Sequence, residues 1–81
     1  MKKHVEAEWH SFRRAVMPID APAVQYRETR RAFYSGALAI LQRITRLADE
    51  GDEITAAEEQ MMDDIDQELR QFFAVVRAGN D

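Results

Sequence analysis

The sequence predicts an all-α fold, a three-helix antiparallel bundle built around one long central helix. Two observations carry this. Apolar residues recur at spacings of three and four along most of the chain, which places them on helix faces. Breakers gather where helices must stop, at Pro18, Pro22, Gly51 and Gly79, and no stretch alternates with strand period.

In the first helix, over about residues 2–16, the face is Val5, Trp9, Phe12 and Val16. Met17-Pro18-Ile19 ends it, because the residue before a proline is pushed out of the helical region. The second helix is expected over residues 21–49. Asp20 is a suitable N-cap, and Pro22 fits a first turn, where its missing N–H would be unpaired anyway. Its stripe is Tyr26, Phe33, Ala37, Ile40, Ile44 and Leu47, with Arg30 in one seam position. At about 28 residues this helix is roughly 42 Å long. Asp49-Glu50-Gly51-Asp52 is the exit, with Gly51 suited to a left-handed C-cap. Thr55-Ala56-Ala57-Glu58 is a capping box that starts the third helix, expected over residues 55–78. Its stripe is Met62, Ile65, Leu69, Phe72 and Val76, widened by Met61 and Phe73, and Gly79-Asn80 end it. Short loops make consecutive helices antiparallel.

With 81 residues the chain holds a single helical domain, residues 1–81. A chain this short buries only about 60–65% of the surface its unfolded form exposes, so one copy is marginally stable. The run at residues 32–41 is apolar nearly all round the second helix, and the shorter first helix leaves part of it uncovered. Such a surface predicts a homo-oligomer. Gly36, beside Ala32, Ser35 and Ala39, costs about 1 kcal/mol relative to alanine in a helix interior. Close crossing by another helix offsets that cost. The crossing helix is either from another copy or the chain's own first or third helix.

Net charge is −4, and it is segregated: residues 1–48 carry nine Lys/Arg against four Asp/Glu, and residues 49–81 two against eleven. Segregation of this kind bears on partners, not on fold. The candidate ligand-binding residues are Tyr26, Arg27, Arg30, Arg31 and Tyr34. Arg27, Arg31 and Tyr34 share a helix face, Arg30 falls near it, and antiparallel packing brings Arg13, Arg14 and Arg77 to the same end. Guanidinium groups grip phosphates with a two-point fork, and aromatic rings stack on bases. The pattern therefore suits a phosphate-bearing, nucleotide-like small molecule. Pairing of these arginines with Glu28, Asp20 and the acidic third helix is the structural alternative.

Other chemistry is less well served. Residues 49–68 hold ten carboxylates and no Lys or Arg, which opposes duplex DNA. Glu50-x-x-Glu53 and Asp63-x-x-Asp66 loosely resemble the paired acidic motifs of all-helical, magnesium-dependent nucleotide pyrophosphohydrolases. Glu50 and Glu53 flank Gly51 in a loop, however, and the plainer reading is a solvated acidic face. His4 and His10 form no metal-binding pair, and there is no cysteine. No catalytic residue, metal or cofactor is expected. No span long enough for a membrane and no signal-peptide core is present.

The stretch Glu28-Thr29-Arg30-Arg31-Ala32-Phe33-Tyr34-Ser35-Gly36-Ala37, preceded by Ala21-Pro22-Ala23-Val24-Gln25, resembles a group of short, mostly uncharacterised phage and prophage helical proteins with an ETRRAFY-small-GA motif. The resemblance implies a virus-encoded protein acting in the cytoplasm of a host bacterium. It implies no activity. By analogy of class with small phage oligomers that sequester the nucleotide signals of bacterial defence, it favours the ligand-binding reading. The alternative is a protein-interaction module that inhibits a host protein or aids phage assembly, using its acidic face around Asp63, Asp64 and Asp66.

Overall fold

A computed structural model describes residues 1–51 and 53–79. Asp52 of the expected exit turn and Asn80 of the expected stop lie outside the described residues, as does Asp81. Among the described residues there are three helices and no strand: α1 (His4–Val16), α2 (Ala23–Asp49) and α3 (Ala56–Arg77). None of them is long and apolar enough to cross a membrane.

Chain direction follows from side-chain partners. Trp9 of α1 reaches Tyr26 near the start of α2, while Val5 shares a groove with Leu41 further along it. Phe72 lies against Tyr34, and Asp66, earlier in α3, shares a recess with Gln42 and Thr45. Both neighbouring pairs of helices are therefore antiparallel, as short connections require.

The helix ends differ from expectation by one or two residues, for local reasons. α2 begins at Ala23 with Pro22 as its cap, at φ −57° and ψ 149°. The Pro22 carbonyl accepts the Tyr26 N–H at 3.0 Å, opening the first helical turn. Asp20 stays exposed, in a turn closed by the Ala21 N–H on the Pro18 carbonyl at 3.2 Å. The Thr55 N-cap forms: its Oγ1 accepts the Glu58 N–H at 3.1 Å and donates to Glu58 Oε1 at 3.1 Å. Gly51 takes φ +105°, a left-handed turn that a side chain would strain.

The core comprises Val5, Trp9, Tyr34, Leu41, Leu69 and Phe72. Trp9 is completely enclosed, with Phe12, Tyr26 and Phe33 at ring separations of 6.0, 5.4 and 5.6 Å. On the α3 side, Tyr34 stacks on Phe72 at 4.0 Å. Offset and edge-on arrangements of this kind add stabilisation beyond burial.

Two stripe assignments shift. Val16 is exposed, because α1 ends beside Pro18, and Met17 packs against the core instead. In α2, Tyr34 and Leu41 are the buried residues, and Phe33 and Ala37 only pack against them. The reason is that α2 packs against both α1 and α3, so its core face spans the directions of both. Ile40, Ile44 and Leu47 remain 63, 46 and 48% exposed. α1 has 13 residues against 27 in α2. At 1.5 Å per residue it is about 20 Å long and cannot cover a partner of about 40 Å.

Candidate functional site

Two concave surfaces lie on different flanks of α2, one polar and one apolar. The polar cleft begins with a missing cap. α1 follows Lys3, which supplies no side-chain cap. The first N–H groups of a helix need acceptors, and α3 provides them. Glu68, one turn before the core residue Phe72, is 5% exposed. Its Oε1 accepts the Val5 N–H at 2.9 Å and its Oε2 accepts the Glu6 N–H at 2.8 Å. The carboxylate thus sits at the positive end of the α1 dipole and joins helices that are far apart in sequence.

Arg30 enters this cleft from α2. Its guanidinium carbon lies 5.2 Å from the centre of the Tyr34 ring and 4.9 Å from that of Phe72, in cation–π range of both. Together with Lys3, Glu6 and Glu68 these residues wall a space of about 230 Å³. Lys3 and Glu6 approach to 3.8 Å across its rim. Two cations therefore face two carboxylates, and the cleft has no excess positive charge.

Burial pushes the Tyr34 hydroxyl above the ordinary tyrosine value of 10.0; a hydrogen bond to Arg30 and its charge oppose this, and Glu68 and Glu6 add to it. Raising the folded value favours the neutral phenol. Its contribution to stability is fully present below 10.0 and is lost as pH climbs through the higher folded value. With Tyr26→Phe as background, spectrophotometric titration is expected to place ionisation of Tyr34 above the unfolded midpoint. Tyr34→Phe should remove its share of the alkaline loss of stability. A midpoint at or below that of the unfolded chain would contradict the geometry.

Of the five candidate ligand-binding residues, Arg30 and Tyr34 are brought together. Tyr26 is held elsewhere, its hydroxyl accepting the Trp9 indole N–H at 3.3 Å and its ring lying 4.9 Å beneath Arg13. Arg31 approaches Glu28 at 3.8 Å, one turn back on the same helix. Arg27 is half-buried, and neither it nor Arg31 belongs to the walls of the cleft. Arg14 lines a separate recess with Arg13 and Met17, and Arg77 is exposed at the end of α3. The arginines therefore share one end of the bundle without sharing one pocket.

The acidic motifs separate in the same way. Asp66 binds Arg70 at 2.8 Å, and Asp64 accepts from Gln60 at 3.0 Å and lies 3.8 Å from His4. Among the described residues no three carboxylates or imidazoles gather as a metal site would need. Glu68 was the residue hardest to foresee. Its one signal is a carboxylate beside the apolar stripe, three residues after Ile65 and four before Phe72, together with an α1 that has no capping residue of its own.

The apolar surface lies on the other flank of α2. Val5, Phe33, Gly36, Ile40, Ile44 and Ile65 are among the residues around an open groove of about 590 Å³. It exists because α1 begins at His4 and leaves the second half of α2 bare on that side. Compared with protein families, characterised proteins and solved structures, the chain finds no match. Fold and sites together define a small helical bundle with a charge-balanced cleft and an open apolar face.

Proposed function

We propose that this chain is a non-enzymatic protein-interaction module whose working surface is the α2 face over residues 36–47. The exposure of Ile40, Ile44 and Leu47 beside a groove of about 590 Å³ carries this reading. Large apolar side chains that share one face and stay in water are what association removes from water. The acidic segment beyond Asp49 adds a charged rim at one end, the usual surround of an apolar interface.

An anionic, nucleotide-like ligand ranks second. Arg30 and Tyr34 do share a cleft, which favours it. The cleft's opposed charges weaken it, because phosphate binding draws on a positive field. The phage-like motif supports a virus-encoded protein working in a bacterial cytoplasm under either reading.

The test is photo-crosslinking in cells that express the protein. A photoreactive residue in place of Ile40 is expected to give covalent adducts. The same residue in place of Gln42, which is exposed about 200° away around the helix, is expected to give few. Equal yields at the two positions would overturn the proposal.

A further inference from the structure

The open face of α2 has a centre. Gly36 is the middle residue of Ala23–Asp49, with equal lengths of helix on either side. Resting on the reading of this face as an interaction surface, we propose that its occupant is a second copy of the chain. The two copies pack α2 against α2, antiparallel, about a two-fold axis at Gly36.

Three observations support this partner and this orientation. A Cβ built at Gly36 would meet nothing within 4 Å, so neither α1 nor α3 requires a glycine there. The chain's own helices leave the residue unexplained, whereas a helix from outside explains it, because a missing side chain lets two backbones approach. The face is also self-complementary at its centre, while the same register sets Ile44 and Leu47 of one copy near Glu28 and Gln25 of the other. In an antiparallel register centred on residue 36, position 32 of one copy faces position 40 of the other. Small Ala32 then meets large, exposed Ile40, twice, as an isologous interface requires.

Charge selects the direction. One end of the bundle carries exposed Asp49, Glu50, Glu53, Glu58, Glu59 and Asp63 against Lys2, Arg43 and Arg46, a negative excess. The opposite end carries Arg13, Arg14, Arg27, Arg31 and Arg77. Parallel packing would set the acidic ends side by side, and antiparallel packing sets each against the basic end of its partner. The same register brings exposed Glu28 of one copy beside exposed Arg43 of the other.

The chain has no cysteine, so single introduced cysteines report the register cleanly. Ala32→Cys chains mixed with Ile40→Cys chains and oxidised gently are expected to form the mixed disulfide in preference to either like-with-like product. Predominance of like-with-like products would overturn the antiparallel register. Gly36→Leu is the second variant. It improves helix propensity, its Cβ meets open space within the monomer, and retained helical circular dichroism separates its effect from loss of folding. Sedimentation equilibrium is expected to show dimer dissociation at least about ten-fold easier for Gly36→Leu, with helical circular dichroism retained. An unchanged monomer fraction would overturn the proposal. If the native chain sediments as monomer at every concentration while a photoreactive residue at position 40 still captures another protein, the two-copy proposal fails and the interaction surface stands. If position 40 captures nothing, both fail.

Discussion

Trp9→Ala is expected to lower folding stability by about 3–5 kcal/mol, the usual range for removing a large buried aromatic side chain. Trp9 is fully enclosed, touches the rings of Phe12, Tyr26 and Phe33, and donates its indole N–H to the Tyr26 hydroxyl. The substitution empties the joint between α1 and α2 and leaves Tyr26 and Arg13 without their support. Native domains hold only about 0.05–0.15 kcal/mol per residue. A chain of 81 residues therefore has little stability left once this is lost. Trp9→Phe keeps a ring and loses the N–H, so its expected loss is smaller, about 1–2 kcal/mol. Because the chain has a single tryptophan, urea titrations of the two variants should be followed by circular dichroism. A Trp9→Ala midpoint equal to that of the native chain would contradict the assignment of Trp9 to the core.

Glu68→Leu is expected to be the most damaging change to a charged residue, at about 2–4 kcal/mol. It takes the acceptor from the Val5 and Glu6 N–H groups at once, and a buried unsatisfied donor costs about 1–3 kcal/mol. The leucine adds apolar volume without replacing either hydrogen bond. Glu68→Gln retains one carbonyl oxygen and should fall between the two, with one amide reconnected and the charge at the helix N-terminus gone. The effect has a location as well as a size. Hydrogen exchange should speed up first at Val5 and Glu6 and then through α1, while α2 and α3 keep most of their protection. Uniform acceleration over all three helices would mean that Glu68 does not act through the start of α1.

Leu69 and Phe72 were legible in advance because α3 has one apolar face and one polar one. A three-four stripe on such a helix has only one direction in which to be buried. α2 was harder to read for the opposite reason. Its middle is apolar around most of its circumference, so spacing alone could not say whether Phe33 or Tyr34 would be innermost. The Arg30–Tyr34 pairing was half visible, since an arginine in a seam position must place its charge somewhere. Its destination, against the stacked Tyr34 and Phe72 rings, depended on Phe72 from a helix about forty residues further on. Tyr26 left the expected cluster because Trp9 needed a partner for its N–H. That requirement belongs to the packed joint and not to α2.

Periodicity, breakers and capping residues are local, acting over one or two turns, and they were enough to specify three helices, their approximate ends and the order in which short loops fold them. Contacts between distant residues are another matter, since they depend on how far each helix reaches along its neighbours. Only the assembled bundle decided that Glu68 would cap α1, that the arginines would divide among several partners, and that α1 would stop short. That last mismatch in length leaves Ile44 and Leu47 in water, while Ile40 and Gly36 face outward from the bundle.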